Sequence, residues 1–272
     1  MEIESILGDK IREGKTKIVF KHKDDETRAL MAMKDVATAG DGVRKEVIPG
    51  KALATWEIAS RMMDFLLMHG HETAYISSPA PGYMLIKKLD MAPLEIVGRK
   101  IATGSLVNKL APIPDGTLLK KPTVQVYLKD DERHDPELSV DIYDALFKYG
   151  NLELRNISGP LPDIKTINQF KRKTKEITEL FYNFFLEQNL KFYDIKLEIG
   201  QQRTDWMIGD YISPDEMRLR DSDGQKLDKD GFRAGASPEE VKNTYNLAVG
   251  RFRELMPKYG RFDCELPKLT KI

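Results

Sequence analysis

Asp194, Lys196 and Glu198 stand at alternate positions of residues 192–199, and the apolar Tyr193, Ile195, Leu197 and Ile199 fill the positions between and after them. This period of two is the pattern of a half-buried strand, with one face in a core and three charges on the other. The polar stretch 200–205 reads as a turn and 206–212 as a returning strand, which would set Glu198 and Asp210 face to face across a hairpin. Two carboxylates so placed repel unless a cation lies between them. One or two carboxylates completed by phosphate oxygens suit Mg2+ in nucleotide sites. The same alternation also describes a solvated strand face with an internal Lys-Glu pair, and the hairpin alone leaves both readings open.

Residues 91–105 are the second informative stretch. Glu95 and Arg99 interrupt an apolar background, and Thr103-Gly104-Ser105 adds hydroxyls and an open backbone. An arginine fork suits a carboxylate or a phosphate, although a structural Glu-Arg pair would read the same way. Near the N-terminus, Gly14 lets the backbone come close to a phosphate, and Lys15 and Lys17 share one strand face. The spacing is not that of a Walker loop, and an exposed hairpin is the alternative. Thr38-Ala39-Gly40-Asp41-Gly42 reads as a flexible loop with one carboxylate. In the charge-dense stretch 129–136, His134 and Asp135 are placed to hold a substrate amine or a proton, or belong to a solvated loop. The turn 213–218 returns Asp215 and Arg218 toward the same chemistry, and 226–233 is a further charged loop.

The elements that must position these residues follow from periodicity. Strands are expected within 11–20, fed by a glycine turn, and at 28–34, 83–89 and 124–128, with loops at 35–44, 110–121 and 150–163. Helices are expected at 51–69, closed by Gly70, within 136–149, and at 166–190, with Ile167, Phe170, Ile177 and Phe181 on one face. A last helix should begin at Ser237-Pro238-Glu239-Glu240, which has an N-cap serine, Pro at the first helical position and Glu three residues after the cap.

The 272 residues allow one large domain or two lobes. Lys+Arg and Asp+Glu balance at 43 each, so no global field gathers nucleic acid or an anionic membrane, and anions must be recognised by local clusters. The single cysteine, Cys264, excludes an internal disulfide and a cysteine metal cluster. The acidic start, Met1-Glu2-Ile3-Glu4-Ser5, lacks the apolar segment of a secretory signal, and no apolar run reaches the roughly 20 residues of a membrane span.

In order along the chain, Glu13-Gly14-Lys15-Thr16-Lys17, Ala39-Gly40-Asp41-Gly42, and Pro93-Leu94-Glu95 through Arg99 to Thr103-Gly104-Ser105 resemble motifs of one family, the SAICAR synthetases (phosphoribosylaminoimidazole-succinocarboxamide synthases). So do Lys129-Asp130-Asp131 with Asp135-Pro136, Asp194-Ile195-Lys196-Leu197-Glu198, and Ser213-Pro214-Asp215 with Arg218. The chain departs from the family's usual pattern at Ile199, where Phe is usual, at Tyr211, where an acidic residue commonly follows the metal-binding Asp, and at Arg220, where an aromatic is frequent.

The resemblance implies an α+β fold with two lobes and ATP in the cleft. Residues 1–89 would form a small antiparallel-sheet nucleotide lobe, and 90–272 a larger lobe for ATP, metal and substrate that includes the C-terminal helix. The implied activity is an ATP-dependent ligase of de novo purine biosynthesis. It would join L-aspartate to the carboxylate of carboxyaminoimidazole ribotide (CAIR), in a cytoplasmic homodimer without nucleic-acid or membrane partners. By position, Gly14, Lys15, Lys17, Lys87, Met91, Glu198 and Asp210 would serve ATP. Glu198 and Asp210 would hold its Mg2+, and Glu95 and Asp135 would lie near a metal at the CAIR carboxylate. Asp41, Glu95, Arg99, Ser105, Asp215, Arg218, Lys229 and Arg233 would bind substrates, with Lys196, Asp194 and Asp135 at the reacting centre. His134, Asp135 and Asp194 remain alternative proton acceptors.

Overall fold

Alternating side chains and well-placed turn residues divide the described residues into antiparallel strands, four longer helices and two short ones. The structure, a computed structural model, describes residues 2–40, 43–109, 112–149 and 159–268. Its first elements are strands β1 (Leu7–Glu13), β2 (Lys17–His22), β3 (Arg28–Met33), β4 (Val36–Ala39) and β5 (Arg44–Val47), then helix α1 (Lys51–Met68), β6 (Tyr75–Ala80) and β7 (Tyr83–Lys87). They are followed by β8 (Asp90–Ile101), α2 (Ser105–Lys109), β9 (Leu118–Leu128), α3 (Val140–Tyr149) and α4 (Ile164–Leu186). The chain closes with β10 (Lys191–Gln202), β11 (Asp205–Gly209), β12 (Met217–Arg220), α5 (Asp230–Arg233) and α6 (Pro238–Leu255). Among the described residues no helix is long and apolar enough to cross a membrane.

The chain divides into two compact units. The first runs from the N-terminus to Lys88 and takes in Tyr211–Asp215 and the chain from Lys226 onward. Its antiparallel sheet has the order β1-β2-β3-β7-β6, with Ala29 to Met33 of β3 buried. Helix α1 is buried nearly all round, so its polar residues must find partners inside the protein. Glu57 accepts from Arg61 at 2.9 Å and from Arg253 of α6 at 2.6 Å, and Asp64 accepts from Arg261 at 2.6 Å and from the Gly260 amide at 3.0 Å. Arg61 in turn donates to the Met256 and Tyr259 carbonyls. This is why α6 and the segment after it, expected in the larger lobe, belong with the first unit. The expected start of α6 is present: Ser237 Oγ accepts from the Glu240 amide, and the Glu240 carboxylate accepts from the Ser237 amide at 2.7 Å. The expected loop 35–44 contains most of the small β4-β5 ribbon, and Asp41 lies outside the described residues.

The second unit comprises Leu89–Asp210 and Glu216–Gln225. Its sheet has the order β11-β10-β8-β9. One edge of the long β10 pairs with β8, while β12 and β11 pair successively along the other. Strand β9 begins at Leu118, inside the expected loop 110–121, and the expected turn 213–218 runs on into β12. Asp163 caps α4, accepting from the Thr166 amide at 2.7 Å. The buried side chains Ile167, Phe170, Ile177, Phe181 and Phe185 of α4 cover the apolar face of the sheet, and Phe185 stacks on Phe192 of β10 with ring centroids 5.9 Å apart. Most of the expected loop 150–163 lies outside the described residues.

The close fit of α4 to β8 depends on Gly98. A Cβ there would lie 2.1 Å from Thr178 Oγ1 and 2.9 Å from Thr174 Cγ2. Both threonine hydroxyls are already donated to the carbonyls of Phe170 and Thr174, one turn back in their own helix. Gly98→Ala should therefore force the helix off the sheet and cost about 1–3 kcal/mol. A urea melt should show a lower midpoint with an unchanged slope. An unchanged midpoint would mean that α4 has slack the packing does not reveal.

Candidate active site

Strand alternation sorts the second unit's sheet into two faces. In antiparallel pairs directly opposed residues point the same way, so the register aligns charges across three strands and polar side chains on a fourth. Asp194 of β10 lies opposite Arg99 of β8 on one side and Arg218 of β12 on the other. Glu198 lies opposite Glu95, and Gln125 and Tyr127 of β9 lie opposite Val97 and Glu95. The apolar residues between them face α4.

Asp194 is the anchor of the guanidinium groups. It is 3% exposed, and its Oδ2 accepts from Arg218 Nη1 at 2.6 Å and from Arg99 Nη1 in a very short contact. Arg99 spends its other nitrogens on Ser105 Oγ at 2.9 Å and Gln125 Oε1 at 3.2 Å. The Arg218 guanidinium lies over Gly104, where φ is +57° and a Cβ would sit 3.2 Å from Nη2. A side chain at 104 would thus be strained by the backbone and would also crowd the arginine. Ser105 Oγ is 3.3 Å from Tyr127 OH. The geometry assigns Asp194 to holding two cations in place.

Lys196 is the second centre. Its Nζ donates to Glu95 Oε1 at 2.7 Å, and about a third of the side chain is exposed. Burial by itself would lower the pKa of the ammonium. The carboxylates of Glu95, Glu198 and Glu216 outweigh that effect, so the net direction is up and Lys196 remains a cation. Like charges directly opposite each other destabilise a sheet. Glu95 and Glu198 tolerate their opposition because Lys196 neutralises the first and Lys129, 2.8 Å away, the second.

The expected hairpin pairing of Glu198 with Asp210 is replaced by another. Strand β11 ends at Gly209, which is the partner of Glu198, and Asp210 follows just beyond the strand with φ 55°. The carboxylate facing Glu198 is therefore Glu95. The Met91 side chain occupies the space at Gly200 and Gly209, where added Cβ atoms would lie 2.8 Å and 2.6 Å from its sulfur. Asp135 closes a turn, accepting from the Asp130 amide at 2.7 Å, and His134 and Asp135 both have positive φ, at 55° and 46°. Two successive non-glycine residues in that region mark a strained turn.

In the first unit, the Gly14 amide donates to the Lys17 carbonyl at 2.9 Å, which closes the β1-β2 turn that carries Lys15. Lys34 holds this turn through Glu13 Oε1 at 2.7 Å and the Gly14 carbonyl at 3.3 Å. The hydrogen bonds from Lys34 and Lys10 pull the Glu13 carboxyl down to about 2. Lys87, half-buried on β7, pairs with Arg28 in the strand register. Asp215 is buried: it accepts from Lys51 Nζ at 2.5 Å and from the Tyr245 hydroxyl, and Lys229 Nζ lies 4.0 Å away. Arg233 donates to the Asp215 carbonyl at 3.3 Å and to Asp230 at 2.7 Å. Asp215 thus positions the cations expected to meet substrate.

Gln125, Tyr127 and Lys51 were not expected in these networks. The first two had a signal in the alternation of 124–128, whereas nothing in the sequence around Lys51 marks it as buried.

The donor set fits a magnesium-nucleotide complex. Glu198 and Asp210 offer hard carboxylate oxygens, and among the described residues no three His, Cys, Asp or Glu side chains gather into a metal-holding group. Two carboxylate ligands would leave magnesium's other positions to phosphate and water.

A family model described as SAICAR synthetase matches residues 10–251. The phosphoribosylaminoimidazole-succinocarboxamide synthase of Sulfurisphaera tokodaii is 37% identical over 246 residues, 90% of this chain and 98% of that protein. The enzyme of the same name from Methanobrevibacter smithii is 38% identical over 237 residues, 86% and 91% of the two chains. A solved SAICAR synthetase (Type-2) in complex with ADP aligns with a TM-score of 0.75 at 29% identity, over 92% of this chain and 99% of its own. A phosphoribosylaminoimidazole-succinocarboxamide synthase structure from Ehrlichia chaffeensis gives 0.76 at 27% identity, over 92% and 98%. The chain belongs to the SAICAR synthetase family.

Proposed function

We propose that this protein uses Mg-ATP to activate the carboxylate of CAIR and joins it to the amine of L-aspartate, releasing SAICAR, ADP and phosphate, as a homodimer in the cytoplasm. It is a ligase of purine biosynthesis that forms a carbon-nitrogen bond. The observation that carries the substrate reading is the Arg99-Asp194-Arg218 array beside Lys196, with Ser105 attached: a cationic face suited to a substrate with a phosphate and a carboxylate.

An unactivated carboxylate does not accept an amine, so it is first phosphorylated by ATP to a mixed anhydride. Such phosphoryl transfer needs chiefly positioning and neutralisation of charge, and no protein nucleophile. Lys15 and Lys17 meet the nucleotide phosphates, with Gly14, Lys87 and Met91 around the nucleotide. Glu198 and Asp210 would hold Mg2+, which when bound supplies positive charge at the phosphate oxygens. Glu95 and Asp135 lie toward the acceptor carboxylate and could share a second ion there. Arg99, Ser105 and Arg218 fix CAIR, Lys229 and Arg233 add anion-binding capacity, and Lys196 stabilises the charge that grows on the transferring group. A proton must leave the ammonium of aspartate before attack, which requires a general base in the site.

Mass spectrometry of the purified protein with Mg-ATP, CAIR and L-aspartate, and with each left out in turn, tests the reading. A product with the mass of SAICAR should form only in the complete mixture. Product formation with a different amine or carboxylate, and none with this pair, would overturn the substrate assignment.

A further inference from the structure

Lys17 is a long, flexible side chain on a short turn, and the nucleotide role assigned to it requires that its ammonium be held in place. Two contacts from one residue do this. Lys17 Nζ sits 5.0 Å from the centroid of the Tyr211 ring, and the Tyr211 hydroxyl is 3.0 Å from Thr16 Oγ1, on the neighbouring residue of the turn. Tyr211 is 2% exposed, so its ring is a fixed platform. The turn itself is tied from behind, where the Thr16 carbonyl accepts from the Lys34 amide at 2.9 Å. An ammonium over an aromatic face is attracted by the ring quadrupole, and the contact fixes the direction in which its N–H groups point away from the ring. Restricting the lysine stem beforehand removes an ordering cost from binding.

We propose that Tyr211 is a positioning residue for the nucleotide: its ring face holds the Lys17 ammonium, and its hydroxyl holds Thr16, so that the β1-β2 turn presents Lys17 to the ATP phosphates. This rests on the reading of Lys17 as a phosphate ligand. It also gives a physical role to one of the positions where the chain departs from its family.

The test keeps the shape of residue 211 and changes its electrons. Tyr211→Phe removes the hydroxyl and keeps the ring; phenylalanines carrying one to three ring fluorines at the same position then weaken the quadrupole stepwise. The KM for Mg-ATP and the Kd for Mg-ADP should rise progressively along the fluorinated series, by roughly three- to tenfold at its end. The KM values for the other two substrates should not move, and purely structural packing would give no such graded trend. Lys17→Ala is measured alongside. If Lys17→Ala weakens nucleotide binding but the fluorinated series is flat, the role of Tyr211 is wrong and the reading of Lys17 stands. If Lys17→Ala leaves nucleotide binding unchanged, both fall together.

Discussion

Lys196→Ala should lower kcat by about 10²- to 10³-fold, the range seen when one preorganised stabiliser of transition-state charge is lost. The expectation follows from where the ammonium sits. Its Nζ is 2.7 Å from Glu95 Oε1, and Glu198 and Glu216 also act on it, so its removal leaves several carboxylates around the reacting groups without their shared cation. On the proposed function, the transferring phosphoryl group would then meet negative charge in place of positive. Lys196→Arg keeps the charge with a different shape and should recover part of the rate. Because the surrounding carboxylates raise the pKa of Lys196, it stays protonated through neutral and mildly alkaline pH, so any alkaline limb in kcat belongs to another group. Steady-state ADP release with all substrates saturating, together with circular dichroism to confirm folding, makes the measurement. A kcat within threefold of the unaltered protein would remove Lys196 from the chemistry.

How much of this was legible beforehand depends on how far apart the partners lie in the chain. The strand with Asp194, Lys196 and Glu198 could be read because its signal is local: the period of two is contained in eight residues. The capping box at Ser237 is local as well. The pairing expected for Glu198, with Asp210, differs from the observed one, with Gly209, by one register position. Period alone does not fix register, and here Gly209, making room for Met91, ends the strand. Arg99 and Asp194 could each be picked out as charges in an apolar background, but their contact is a matter of sheet order, which joins residues 95 apart. Helix α1 shows the limit most clearly. Its run of Lys51, Glu57, Arg61 and Asp64 has the composition of a solvated face, and all four are buried. Glu57, Arg61 and Asp64 find their partners in α6 and the segment after it, nearly 200 residues later, whose arginines and carbonyls supply them, and Lys51 finds its own in Asp215.

Asp215→Asn should be the most destabilising single change near the site, costing about 3–5 kcal/mol, because it breaks a buried ion pair from one side only. Lys51 is 1% exposed, and its other hydrogen bond, to Thr55 Oγ1, is long at 3.5 Å. The asparagine would leave its ammonium in the interior without a counter-charge. Urea unfolding should show the loss as a lower midpoint, and the double variant Lys51→Met with Asp215→Asn should recover much of it, since the stranded charge is then gone. If the double variant is as unstable as the single one, the Asp215 carboxylate acts mainly through Tyr245 and Lys229. The same pair predicts a pH dependence. Burial alone would raise the Asp215 pKa, but Lys51 and Lys229 overcome it and hold the carboxyl at about 2, below its ordinary 3.8. Between those values the unfolded chain binds more protons than the folded one, so stability rises with pH across the interval. The contribution is complete above the ordinary value and is lost as the pH falls toward about 2. The Asp215→Asn protein should therefore lose less of its remaining stability over that acid range than the unaltered protein does, and equal losses would show that the acid sensitivity arises elsewhere.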